Sequence, residues 1–391
     1  MSLNLDIENT EIAFKSKSNF DLKMSKMLFK VFEFKTLVTK GPLLVNGALK
    51  LGLPIRGILK KTIFNQFCGG ETIEECVDKT ISGLAEYNVG SILDYSVEGL
   101  TTEEDYDKAF IELSKVIEES KSNPAIPFAV FKVTALANFS LLEKVHHKDA
   151  LTADELEEFN RVKSRVKRLC AQAYEGDVRI LIDAEESWIQ APVDSLAVEM
   201  MHEYNKEKAI VYNTIQMYRH DRLGFLKEQH HLAINDGYFL GLKIVRGAYM
   251  EKERARATAK GYPSPIQKNK EATDRDYDLA LEYCLENIND ISIIAGSHNE
   301  KSTLNLVRLM HERTVSADDE RVEFAQLLGM SDNLSFNLAY HNYKVAKYVP
   351  YGPVEAVMPY LFRRADENTS IAGQASRELQ LIEKEISRRS H

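Results

Sequence analysis

Cysteine is scarce: Cys68, Cys76, Cys170 and Cys284 are the only four in 391 residues, and none forms a CxxC pair. That removes a zinc knuckle or a thioredoxin-type site and fits a reducing compartment with free thiols. No run of 18 apolar residues occurs, so no membrane-spanning helix is expected. The first 40 residues lack the uninterrupted apolar stretch of a secretory signal. The phosphate loops GxGxxG and GxxxxGK(S/T) are absent, as are the zinc helix HExxH and the nucleophile elbow GxSxG. His146–His147 and His230–His231 have no companion ligands in sequence, so no metal is expected. Basic residues are in deficit, 50 against 59 acidic, and a net charge of −9 argues against a nucleic-acid binder. There is one Trp, and there is no internal repeat and no low-complexity tract.

The composition that remains, 44% hydrophobic and 28% charged, is ordinary for a globular protein. Its charge is unevenly spread. Residues 15–61 hold eleven Lys/Arg against two Asp/Glu, a net +9 that leaves −18 for the rest. This segment reads as helices over Leu22–Thr39 and Pro42–Phe67 with apolar residues among the lysines. Two readings stay open: a basic amphipathic surface for an anionic membrane, or a helical appendage with solvated lysines.

From residue 89 onward, short β-rich runs alternate with helical stretches. The runs are Val89–Tyr95, Pro127–Ala135, Val178–Ala184, Ile210–Ile215, Phe239–Arg246, Ile291–Gly296, Val322–Leu327 and Lys344–Val349. Between them lie helix-length segments such as Glu103–Glu119, Ala153–Ala173, Leu196–Lys208 and Asp274–Asn287. Nearly continuous apolar runs suit parallel strands covered on both faces. Eight such units predict an α/β fold, a (β/α)8 TIM-like barrel with an N-terminal helical extension. An open doubly wound sheet is the alternative, weakened by the missing dinucleotide loop. The expected division is a helical segment over 1–85 and a barrel over 86–391, with a C-terminal helix over the active site.

Polar or ionisable residues recur at the strand ends: Asp94, Lys132, Asp183, Gln216, Lys243 with Arg246, His298 with Asn299, Gln326 and Tyr348. The C-terminal ends of barrel strands carry the active site in this architecture. Singly, each is as well explained by a strand end meeting water. Lys132 and Lys243 are harder to dismiss, because a buried ammonium needs a partner. After the last strand, the helix PVEAVMPYLFRRADEN (353–368) spaces Tyr360, Arg363, Arg364 and Glu367 at i, i+3, i+4 and i+7, on one face. Two adjacent guanidiniums can clamp one carboxylate. A solvated helix with ordinary ion pairs would carry the same pattern.

These residues resemble the proline dehydrogenase family. YLFRRADEN (360–368) and KIVRGAYMEKERARA (243–257) carry the likeness most specifically. FKVTALA (131–137), LIDAEES (181–187), SHNEKS (297–302), FAQLLGM (324–330) and YVPYGP (348–353) match in the same order. The resemblance spans roughly residues 60 to 380. It implies an FAD-dependent, monofunctional enzyme on a distorted (β/α)8 barrel. The enzyme would oxidise L-proline to Δ1-pyrroline-5-carboxylate and pass electrons to a membrane quinone.

Carried over by position, the resemblance makes Arg363 and Arg364 the substrate-carboxylate ligands, with Lys132 near the same group. Tyr348 and Tyr360 wall the ring, and Ile244 stands for an apolar wall residue. Lys243 lies near the reactive flavin nitrogen, where it would stabilise the reduced, anionic flavin. That position is Arg in some members. Gln216, Val245, Gly247, Tyr249, His298 and Asn299 lie in stretches that hold FAD, and Asp183 and Glu367 support the site. Met250 replaces a Trp of some bacterial members. The resemblance implies a cytoplasmic enzyme, peripheral at the inner face of the membrane, with a separate pyrroline-5-carboxylate dehydrogenase taking the product. Three alternatives stay open. One is a hydroxyproline dehydrogenase, against which the size of Tyr348 weighs. The second is a Schiff-base lyase using Lys132 or Lys243. The third is a non-catalytic barrel.

Overall fold

The structure is a computed structural model that describes residues 5–32, 41, 45, 54–97, 99–370 and 374–390. Side chains 366–370, 374 and 375 lie outside the described set. Eight parallel strands close into a barrel in simple order: β1 (Gly90–Tyr95), β2 (Phe128–Lys132), β3 (Arg179–Asp183), β4 (Val211–Gln216), β5 (Leu240–Val245), β6 (Ile291–Gly296), β7 (Val322–Leu327) and β8 (Val345–Tyr351). The expected barrel is therefore present. The chain falls into two compact units, 1–98 with 326–391, and 99–325.

In the unit 99–325, strands are joined by crossover helices whose starts are written in sequence. Thr102 and Thr152 form reciprocal capping boxes with Asp105 and Glu155, opening the helices Glu103–Ser122 and Ala153–Glu175. Gly241 in β5 has no alternative, since a Cβ there would lie 2.4 Å from the Val211 carbonyl and 2.9 Å from the Tyr212 ring.

Three differences from the expected elements in this unit have a local cause. The run Pro127–Ala135 stops pairing at Lys132 and tightens into a 3₁₀ turn, Val133–Ala135. The helix expected over Leu196–Lys208 is Gln190–Tyr204. Pro192 lies in its first turn, where a missing N–H costs nothing. Asn205 ends it by turning its side chain to the backbone of Ile210, Val211 and Phe239. The helix expected from Asp274 starts at Lys270, capped by Asn269.

In the unit 1–98 with 326–391, β1 pairs with β8 over six residues. The helix Asn19–Phe32 buries Leu22, Phe29 and Phe32 in a cluster with Phe64, Phe67, Val357, Leu361 and Ile382. These last residues come from the helices Val354–Ser370 and Gln374–Ser390 and from the segment before β1. The described part of Pro42–Phe67 is broken into the short helix Arg56–Leu59, a π-turn Lys60–Phe64 and Asn65–Phe67. Residues 33–39, 42–44 and 46–53 of the two expected N-terminal helices lie outside the described set.

Candidate active site

In the unit 99–325 the strand ends bring three of the expected residues together, with Thr214 among them. The β2–β3 register sets Lys132 opposite Asp183, and the β4–β5 register sets Thr214 beside Lys243. Ile182 pairs with Asn213, so the next residues, Asp183 and Thr214, are neighbours too. Lys132, Asp183, Thr214 and Lys243 therefore follow one another across the sheet on a single face. Lys243 Nζ donates to Asp183 Oδ1, and the lysine is 5% exposed. The carboxylate offsets the cost of burying that ammonium.

Gln216 and Val245 lie further along the same face. Gln216 is 3% exposed, and among the described residues no protein group bonds its carboxamide. Ile244 points the other way. Strand alternation puts it on the face opposite Lys243 and Val245, between Ile215 and Ala295. The structure therefore parts Ile244 from the residues it was expected to join.

The loop after β5 bends at Gly247, φ +129°, where a Cβ would sit 2.6 Å from the Tyr218 ring. Only glycine fits there. Tyr249 then ends the loop at the start of the helix Met250–Lys260. Arg246 is spread over three partners: Asp274 Oδ1 at 2.7 Å, Ser297 Oγ at 2.8 Å and Ser302 Oγ at 2.9 Å. It also stacks 4.3 Å over Tyr277. Asn299 spends its carbonyl oxygen capping the helix Glu300–Glu312, accepting from Ser302 N–H at 3.1 Å. His298 precedes it, half-buried, in the same loop.

In the other unit, Tyr348 of β8 is buried. The helix Val354–Ser370 buries Tyr360 and Arg364, and Arg363 is half-buried. The Arg364 guanidinium lies 5.0 Å from the Tyr360 ring centre, a cation–π contact that fixes its direction. A solvated helix face does not bury an arginine, so Arg364 is not part of one. The side chain of Glu367 lies outside the described residues.

Two features escaped the sequence. Lys347 in β8 is fully buried and paired to Asp332 Oδ1 at 2.9 Å. It sits in an apolar run as Lys132 and Lys243 do, so the same signal was there. Glu185, just past β3, is buried and bonded by Thr134. Its place in LIDAEES carried no pattern of its own.

The donor set suits a flavin, whose ring edge offers N1, O2, O4 and N5 as acceptors and N3–H as a donor. The unbonded Gln216 carboxamide can serve either kind, and Lys243 supplies a cation on the same face.

Comparison with known proteins identifies the family. Residues 77–377 match the family model described as proline dehydrogenase. The chain is 32% identical to "Proline dehydrogenase 1, mitochondrial" of Dictyostelium discoideum, covering 98% of this chain and 75% of that protein. It is 30% identical to a hydroxyproline dehydrogenase of Xenopus laevis, over 96% of this chain and 88% of that one. Among solved structures, proline utilization A from Bdellovibrio bacteriovorus, inactivated by N-propargylglycine, superposes with a TM-score of 0.76 at 20% identity. That likeness is one of fold. It covers 96% of this chain, which spans only 44% of the chain in that structure.

Proposed function

We propose a reaction from one premise: this chain belongs to the proline dehydrogenase family, whose members are oxidoreductases. We infer that it oxidises L-proline to Δ1-pyrroline-5-carboxylate with FAD. The observation that carries this is the buried Lys243–Asp183 pair on one sheet face with the unbonded Gln216 carboxamide. Gln216, Lys243, Val245, Gly247, Tyr249, His298 and Asn299 would hold the cofactor, with Asp183 and Glu367 in support. A bound FAD would supply the hydride acceptor and hand the electrons to a membrane quinone.

The chain's own residues do the rest. Arg363 and Arg364 bind the substrate carboxylate by charge-assisted hydrogen bonds, worth roughly 1.5–3 kcal/mol each. Lys132 adds a third cation for that group. Tyr348 and Tyr360 wall a small slot that keeps water out and the reacting carbon oriented. Lys243 holds a fixed positive charge where negative charge develops.

Among the described residues no helix is long and apolar enough to cross a membrane. Reaching a quinone then needs a surface. On the helix Asn19–Phe32, Phe20, Met27 and Val31 are 70%, 48% and 40% exposed. Their i, i+7, i+11 spacing makes one stripe, and exposed Lys23 and Lys30 flank it. An apolar stripe edged by lysines supports peripheral docking on anionic lipid, at the inner face of the membrane for a cytoplasmic enzyme. A separate dehydrogenase would consume the product.

The test is turnover. Purified protein should oxidise L-proline faster than trans-4-hydroxyproline, since the size of Tyr348 weighs against a ring hydroxyl. The reverse preference would transfer the assignment to the hydroxyproline enzymes. Borohydride trapping of an aldehyde on Lys132 or Lys243 would instead establish a lyase.

A further inference from the structure

Glu185 lies two residues past Asp183, and none of the roles above uses it. It is 4% exposed, yet its described partner is one neutral residue. Thr134 N–H donates to Oε1 at 3.1 Å, and the Thr134 hydroxyl donates to Oε2. Thr134 is half-buried, in the turn that follows Lys132. Strands β2 and β3 thus end in two successive pairs, Lys132 opposite Asp183 and then Thr134 bonded to Glu185.

The segment is held from behind. Glu185 N–H donates to Gln190 Oε1 at 2.8 Å, Gln190 Nε2 donates to Asp194 Oδ1 at 2.9 Å, and Arg222 binds Asp194 Oδ2 at 2.6 Å. The charged groups around Glu185 are Glu186 beside it and Lys132 from β2. Asp194 lies on the helix Gln190–Tyr204, and Lys252 reaches Glu186 from the helix Met250–Lys260. Burial pushes the Glu185 carboxyl up to about 7, aided by Glu186 and opposed by the Thr134 bonds and by Lys132. A buried carboxyl that changes charge near neutrality, behind a hydroxyl that can pass a proton, suits acid–base work.

We propose that Thr134 and Glu185 form the proton relay of the substrate site. The ammonium of bound proline gives a proton to Thr134 Oγ while the Thr134 hydroxyl passes its own proton to the Glu185 carboxylate. The amine is left neutral with its lone pair, Thr134 is regenerated, and Glu185 becomes the neutral acid, which returns the proton to water before the next turnover. The inference rests on the proline-oxidising reading, because an amine must be neutral to release hydride from the adjacent carbon. Lys132, two residues before Thr134, places the relay near the substrate's carboxylate.

The experiment is the pH profile of kcat/KM for proline with a soluble electron acceptor. It compares the full-length holoenzyme with Thr134→Val, Thr134→Ser and Glu185→Gln. The wild type should lose activity on the acid side with a midpoint of about 7. Thr134→Val and Glu185→Gln should fall roughly 100-fold near neutral pH, a normal loss for a general base. They should also lose that midpoint, so that activity climbs with the amine's own ionisation. Thr134→Ser should restore both. Flavin content and affinity for cyclopentanecarboxylate, which has no amine, should stay unchanged in all three. A midpoint near 7 retained in Glu185→Gln overturns the relay, and so does full activity in Thr134→Val. If Glu185→Gln does not fold, the Thr134 pair decides alone. A wild type that oxidises no proline overturns the underlying reading and the relay with it, and that result is seen before any variant is compared.

Discussion

At the scale of the residue, lysines inside strands carry most of the information. Lys132 and Lys243 stood out because an ammonium in an apolar run is expensive without a partner. Lys347 obeys the same rule for another purpose. Its Nζ donates to the Met330 carbonyl at 2.5 Å and meets Asp332, which Lys17 approaches from its other oxygen at 3.1 Å. Burial alone would raise the Asp332 carboxyl, but Lys17 and Lys347 outweigh it and hold it at about 2. Lys347→Met leaves that carboxylate to Lys17 alone, and we expect a loss of about 1–3 kcal/mol in urea unfolding. Arg364→Met should raise KM for proline roughly 10- to 100-fold, the loss of one or more charge-assisted bonds. Flavin absorbance should stay intact in that variant. A normal KM would remove the clamp. The Thr134–Glu185 pair was invisible in sequence because it joins residues 51 positions apart that share no spacing rule.

At the scale of the element, the C-terminal helix Gln374–Ser390 shows how buried charge enters through packing. Glu378 accepts from Ser331 N–H at 2.6 Å, and its carboxyl is pushed up to about 7 by burial, with Asp332 adding to the effect. The folded state therefore binds this proton more tightly than the unfolded chain does. Its contribution is full below the ordinary glutamate range and is lost as pH rises through about 7. Glu378→Gln should accordingly gain on the wild type between about pH 5 and pH 8, by roughly 1–3 kcal/mol. Thermal melts across that range read the difference, and a constant offset would contradict it. The N-terminal helix makes a separate prediction. Phe20→Ser with Met27→Ser should release the protein from anionic liposomes in sedimentation, since neither side chain packs inside. Unchanged binding would take this helix out of the account. Helix boundaries were the least legible elements: the helix expected from Leu196 starts at Gln190 and takes Pro192 into its first turn, where helices tolerate proline.

At the scale of the whole molecule, the strand count was legible because parallel strands buried on both faces must be apolar throughout. Two of the eight, Ile291–Gly296 and Val322–Leu327, have the expected limits unchanged. What sequence left open was which polar strand ends belong together. Register and alternation supply that: Lys132, Asp183 and Lys243 share a face and Ile244 does not. The charge asymmetry also takes a physical form. The basic N-terminal stretch contributes a helix that buries one side in the protein and leaves Phe20, Met27 and Val31 outside between lysines. The central claim is that these residues serve flavin-dependent proline oxidation, and one measurement addresses it directly. The visible absorbance spectrum of the purified protein is recorded without oxygen, before and after addition of L-proline. A flavin band that proline bleaches is the expected result. A colourless protein reconstituted by no flavin, or a flavin band that proline leaves untouched, would contradict it.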